Sequence, residues 1–422
     1  MSRWESRCLD WMDRHLTEIV LCLVLVLSFA IRVSNRTFVS KDVQKYLLPW
    51  YQEISRGGGL ASLRHQTGNY NVLYQTAIAL MTYLPMNPLT KYKALSILFD
   101  YVLAAGTGVL AVMGTRRPDS ASALPVSGRR RGRIGFPLSG PEGRSMTAAV
   151  CLCLLTPTVI FNSSLWAQCD AIYTAFIVWS MADLYDGAYG RSLLLLGISF
   201  AWKLQAILIL PFYLAVWLYR KRFSIFWFLL VPAVMLAASL PAVLMGRPVT
   251  EAFLIYAKQT TEFPVMTARF PNIWQLFGGS YDVLHRGAVL GAAAALALLI
   301  LALGRRRDLL ETPEGFLATA ALFVWTAVLI LPGMHDRYAY LLDILLLVLT
   351  VRKPRAFGAF FTVAVSESLL SYSGYLFDQV FDLRLAAAAY LAAYGAFVGL
   401  HFLKPACPEE SSHCAGGPDV LQ

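Results

Sequence analysis

The chain has 422 residues, 57% of them hydrophobic and only 15% charged, with a formal net charge of +10. Long apolar blocks recur from end to end, which excludes an ordinary soluble enzyme and points to a chain that crosses a membrane many times. The positive charge does not call for a nucleic-acid partner, because Arg and Lys gather at the ends of apolar blocks as loop charges do. The seven cysteines have neither disulfide-framework nor zinc-site spacing.

The first apolar block, "IVLCLVLVLSFAI" (19–31), follows Arg3, Arg7 and Arg14 and has no small-residue cleavage site after it, so it reads as a retained span over 18–33. The segment 34–70 is then the first outward loop. Its start, with Asp42, Tyr46, Trp50 and Tyr51, has the spacing of an amphipathic helix that "RGGG" ends. The stretch 71–86 reads as a short or re-entrant helix. Spans follow over 92–113, 147–162, 171–186, 192–203, 206–219, 224–245, 286–304, 315–332, 338–351, 356–374 and 385–403, and several are shorter than a full crossing. Basic clusters at 115–133, 219–222, 304–308 and 351–355 orient the chain, which makes 114–146 a cytoplasmic loop and 246–285 a large outward loop. Residues 1–404 form one integral-membrane unit, and 405–422 read as a disordered tail.

The unusual polar residues fall on the outward side. Asp42 lies a few residues beyond the first span. "FNSSLWAQCDAIYTAF" (161–176) sets Trp166, Gln168 and Asp170 at a membrane edge. Asp170 suits a helix N-cap, while an indole and an amide are common means of holding a sugar. Lys203 in "SFAWKLQAI" is a lone charge in an apolar stretch and should face a polar cavity, an anion or a partner. His335, Asp336 and Arg337 stand in "LPGMHDRYAYLLD" (331–343), where an Arg fork suits a phosphate and an Asp336–Arg337 loop pair is the plainer alternative. "ARFPNIWQL" (268–276) adds Asn272 and Trp274.

These segments, in this order, resemble the bacterial relatives of the GPI-anchor second mannosyltransferase family, within the GT-C superfamily of integral-membrane glycosyltransferases. The resemblance covers about residues 34–350. It is carried by "FNSSLWAQCDAIYTAF", "FAWKLQAILILPF", "PNIWQL" and "LPGMHDRYAYLLD". Two departures stand out: Lys41 and Val43 flank Asp42 where the family has a small residue and Tyr, and Asp336 stands where Glu is commoner.

The resemblance implies an all-α polytopic transmembrane bundle of GT-C type, with about 11–13 spans if short or re-entrant helices are counted. It implies transfer of a hexose, mannose first, from a polyprenyl-phosphate donor to an extracytoplasmic hydroxyl, with inversion at C1. The acceptor would be a glycan, a lipid-linked glycan or a protein. Asp42 would be the general base, with Asp170 as the other candidate. Lys203, His335 and Arg337 would hold the donor phosphate. Trp166, Gln168, Asp170 and Tyr173 would bind sugar or acceptor, together with Gln205, Asn272 and Trp274. No metal or cofactor is called for. The location implied is the bacterial cytoplasmic membrane, with membrane lipids as surroundings. A transporter or lipid flippase shares the many spans and isolated charges, but it would more often show paired halves.

Overall fold

A computed structural model describes residues 2–115 and 140–403. The core of the expected basic loop, including "GRRRGR", and the expected tail over 405–422 lie outside the described residues.

The described chain is an all-α bundle, and its only strand pairing joins Thr267–Ala268 to Met334–His335 in parallel. Six helices are long and apolar enough to cross a membrane: Leu16–Ser34, Pro88–Ala111, Ile225–Leu244, Tyr281–Leu303, Pro313–Ile330 and Leu383–Leu403. A seventh candidate is bent by 53° between Gly140–Leu155 and Pro157–Leu165. The bend follows from sequence, because Pro157 forces Thr156 into an extended conformation and removes a backbone donor. The remaining predicted spans are also helices, but shorter or more polar: Asp170–Tyr185, Tyr189–Trp202, Leu210–Arg220, Tyr340–Arg352 and Pro354–Leu376. The stretch read as a short excursion contains the ten-residue helix Val72–Met81.

Two kinds of apolar surface separate inner from outer helices. Tyr340–Arg352 and Pro313–Ile330 are buried along almost their whole length, at the centre of the bundle. Leu16–Ser34, Ile225–Leu244 and Tyr281–Leu303 instead expose large side chains such as Val26, Leu244, Leu290 and Leu298. Exposed apolar faces of that extent suit lipid rather than water, and they make the chain a membrane protein.

Three of the basic clusters meet at one end of the bundle. Arg352 donates to the carbonyls of Leu110, Ala111 and Met113 and pairs with Glu314 at 2.9 Å. Arg222 pairs with Glu311, while Arg220 donates to the Leu310 carbonyl. The other end of the Pro88–Ala111 helix works differently. Lys93 donates to the carbonyls of Asn35 and Phe38 at 2.7 Å each, Lys91 to the Tyr51 hydroxyl at 2.6 Å, and Tyr92 to the Leu47 carbonyl at 2.9 Å. "KYK" thus ties the 34–70 segment onto the bundle, at the end opposite Arg352.

Candidate active site

Asp42 opens a π-helical turn, Val43–Leu47, that runs into the helix Leu48–Arg56. Gly57 caps that helix, so "RGGG" stops it as the sequence suggests. The Ser40 hydroxyl donates to the Trp166 carbonyl, which fixes the loop just ahead of Asp42. Across from it, Phe161–Leu165 is a second π-helical turn, and Ala167 then takes the left-handed conformation at φ 60°. A non-glycine residue held there is a local strain that the surroundings must offset. The reversal sends Trp166 and Gln168 to the same carboxylate.

That carboxylate is Asp42. Its Oδ2 accepts from Trp166 Nε1 at 2.7 Å and Gln168 Nε2 at 2.6 Å, with Arg337 Nη1 at 3.5 Å. Its Oδ1 accepts from the Tyr375 hydroxyl. The Tyr70 hydroxyl donates to Gln168 Oε1 at 3.0 Å, which fixes the amide orientation. Trp166 also stacks on Tyr375, with centroids 4.8 Å apart, and carries the Arg337 guanidinium 5.1 Å from its ring centre.

Asp170 sits behind this layer and is fully buried. Its Oδ1 takes Lys203 Nζ at 2.5 Å; its Oδ2 takes Asn162 Nδ2 at 2.8 Å and lies 3.3 Å from Arg337 Nε. Lys203 can reach it because the Tyr189–Trp202 helix stops there: Lys203 is extended, and a 3-10 turn, Leu204–Ile209, follows. The lone charge of "FAWKLQ" therefore marks a real break in the helix. Arg337 bridges the two carboxylates.

In front of these groups lies a cavity of about 310 Å³. Asp42, Gln168, Lys203, Gln205, His335 and Arg337 all line it, with Asp336, Tyr70, Trp50, Lys45 and Tyr375. Five of the residues expected to bind sugar or acceptor lie away from this cavity wall. Trp166, Asp170 and Tyr173 are fully buried and form no part of the cavity wall; Trp166 holds Asp42, and Asp170 holds Lys203 and Asn162. Asn272 and Trp274 do not reach the cavity either. Asn272 caps the helix Ile273–Phe277 and donates to the Leu331 carbonyl; Trp274 donates to the Ile330 carbonyl at 2.8 Å. They lock the 246–285 loop onto the end of the Pro313–Ile330 helix.

Two groups were not singled out from sequence, and a third was named there without a role in the site. Tyr70 lies in a turn beside Gly68, whose φ is +65° and where a Cβ would sit 2.3 Å from Trp50. Tyr375 ends the Pro354–Leu376 helix with nothing in its neighbourhood to mark it. Asp336 reads from sequence only as the partner of Arg337 in a loop pair. It is buried, its Oδ1 has no hydrogen-bond partner, and Arg337 Nη1 stands 3.8 Å away.

Electrostatics separate these groups. Burial, with help from Arg337, pushes His335 down to about 4, so its imidazole is neutral near pH 7. His335 can therefore bring a hydrogen bond to an anion but no charge. Burial works against the charge on Arg337, but Tyr70, Asp42, Asp170 and Asp336 outweigh it and hold the guanidinium protonated. Burial, with the Asp42 and Asp170 carboxylates, raises Asp336 to about 7 against the opposing pull of Arg337.

The fold and this cavity define a polytopic membrane protein with a buried polar site at one end of its bundle. Neither a protein-family model nor a curated protein matches the chain.

Proposed function

We propose that the chain is a membrane glycosyltransferase that moves a hexose, mannose in the first instance, from a polyprenyl-phosphate donor to an acceptor hydroxyl. This carries forward the resemblance to the bacterial relatives of the GPI-anchor second mannosyltransferase family. The observation that supports it most is the convergence on one cavity of Asp42, Lys203 and Arg337, which are far apart in sequence. A carboxylate beside two phosphate-compatible cations is the set that glycosyl transfer from a lipid phosphate needs.

In this reading the donor lipid lies in the bilayer and its phosphate faces Lys203 and Arg337. Asp42 takes the proton of the acceptor hydroxyl as that oxygen attacks C1. Asp42 is preferred to Asp170 because it lines the cavity, whereas Asp170 is sealed behind it. Displacement at C1 inverts the anomeric configuration. Gln168 and Gln205, both in the cavity wall, are placed to hydrogen-bond sugar or acceptor. The cavity lies at the end of the bundle away from Arg220, Arg222 and Arg352, which under the positive-inside rule supports an extracytoplasmic site. The membrane would be the bacterial cytoplasmic membrane, and the acceptor a glycan, a lipid-linked glycan or a protein.

The test is to incubate the purified protein in detergent or vesicles with a panel of polyprenyl-phosphate sugars and candidate acceptors, following release of polyprenyl phosphate. Release with at least one sugar is expected. Release from none would shift the reading to transport.

A further inference from the structure

The charges in the site cancel. Lys203 and Arg337 bring two positive charges, and Asp170 and Asp42 bring two negative ones, each cation lying within ion-pair distance of at least one carboxylate. At the rim, Lys45 and Glu262 add one charge of each sign to the cavity lining. A donor phosphodiester carries one negative charge, and its departing phosphate gains a second as the bond to C1 breaks. The two cations, already matched, have no surplus charge to meet that gain.

Asp336 is the one acid in this layer held in the opposite way to Asp42. Asp42 is surrounded by donors: Trp166 Nε1, Gln168 Nε2, the Tyr375 hydroxyl and Arg337. Asp336 lines the same cavity, yet its Oδ1 is buried without a hydrogen-bond partner. The groups around it are His335 and Arg337 on its own segment, Asp42 from the first loop and Asp170 from the helix behind. Arg269 comes from the paired strand segment, and Tyr372 and Tyr375 from the Pro354–Leu376 helix. Two of these are carboxylates, which oppose a third negative charge, and that is consistent with its rise to about 7. A carboxyl ringed by hydrogen-bond donors and a second, bare carboxyl raised toward neutrality, both on one cavity, are placed to work as base and acid.

We infer that Asp336 is the general acid of this site and delivers a proton to the departing lipid phosphate while Asp42 receives one from the acceptor. The inference rests on the transferase reading above. The acceptor oxygen bonds to C1 and its proton passes to Asp42. The bond from C1 to the phosphate oxygen breaks with its electron pair on that oxygen, which takes the Asp336 proton. The products are the glycoside, a singly charged polyprenyl phosphate, the Asp42 acid and the Asp336 carboxylate. Protons and charge balance, and transfer of one proton from Asp42 to Asp336 resets the pair.

The test uses the full chain, a polyprenyl-phosphate sugar that the wild-type protein turns over, and the phosphorothioate analogue of that donor, whose leaving group is a weaker base. D336N should lower kcat about 100-fold with the phosphate donor, a usual worth of a general acid. It should recover much of that loss with the phosphorothioate, whereas D42N should be equally impaired with both. Wild-type kcat should fall as pH rises through about 7, and D336N should lose that dependence. D336E, which keeps the acid, should retain the falling limb and covers the case in which D336N does not fold. Turnover by wild type with an unchanged rate and pH profile in D336N, or a wild-type rate that stays level above pH 7, overturns the inference and leaves the transferase reading standing. Failure of the wild-type protein to release phosphate from any donor overturns both.

Discussion

Trp166 and Asp42 are joined across 124 residues of chain by one hydrogen bond, from indole Nε1 to carboxylate Oδ2 at 2.7 Å. The indole is wholly buried, so its role is to aim the carboxylate rather than to meet a ligand. Trp166→Phe keeps a flat ring for stacking on Tyr375 but removes the donor. A hydrogen bond to a charged group contributes about 1.5–3 kcal/mol. The variant should lose stability of that order in thermal unfolding and lose transfer activity with it. A Trp166→Phe protein that melts and turns over like wild type would show that Gln168 and Tyr375 position Asp42 alone.

Lys203 and Asp170 are a buried pair at 2.5 Å, and removing one partner leaves the other charge uncompensated. Lys203→Met should therefore destabilise the fold by about 3–5 kcal/mol. Arg337, 3.3 Å from the same carboxylate, would soften the loss. The double variant Lys203→Met with Asp170→Asn should recover much of the stability, because no unpaired charge remains, yet stay inactive, because no cation faces the donor from that side. Melting temperature and transfer rate read on the same preparations separate the two effects. Recovery of activity in the double variant would place Lys203 outside the chemistry.

The course of the helices was largely readable, because apolar blocks broken by charged clusters carry that information directly. The break at Lys203 was readable too, since a lone cation in an apolar run must end near something polar. Burial was not. Arg32 falls inside the span read over 18–33 and "KYK" at 91–93 at the start of the span read over 92–113, with nothing in the sequence to mark them, yet Arg32, Lys91 and Lys93 are all buried and bound. The same failure put Trp166 and Asp170 in the cavity wall: residue type gives the chemistry of a side chain, whereas only the fold decides whether it faces the ligand or its neighbour. Tyr375 was invisible for a related reason. It reaches Asp42 from 333 residues away, and no local pattern records a contact of that span.

Arg32 and Asp100 form a fully buried ion pair at 2.7 Å between the first span and the Pro88–Ala111 helix. Ser163 donates to the same carboxylate oxygen, so the pair also anchors the π-helical turn that carries Asn162 and Trp166 toward the site. Arg32→Met should cost about 3–5 kcal/mol by stranding Asp100. Arg32→Met with Asp100→Leu should melt closer to wild type than either single variant, with an interaction energy of about 0.5–3 kcal/mol in a double-mutant cycle. Additive losses would mean that the two side chains do not depend on each other.

His335 and Asp336 are sequence neighbours whose protonation runs in opposite directions on folding. His335 falls from 6.5 to about 4, and Asp336 rises from 3.8 to about 7. Between about pH 4 and 6.5 the folded chain holds a neutral imidazole and a neutral acid, and the unfolded chain an imidazolium and a carboxylate. Each state binds one proton at the two residues together, so their effects on the pH slope of stability cancel. Removing one uncovers the other. His335 has a depressed value, and its contribution is lost as pH falls from 6.5 toward 4, so Asp336→Asn should become less stable than wild type as pH is lowered. Asp336 has a raised value, and its contribution is full below 3.8 and lost as pH rises toward 7, so His335→Asn should become less stable than wild type as pH is raised. Each slope relative to wild type should approach about 1.4 kcal/mol per pH unit, the effect of one proton. Thermal unfolding of the three proteins at several pH values across this window checks the signs, and three parallel curves would contradict the opposed protonation of the pair.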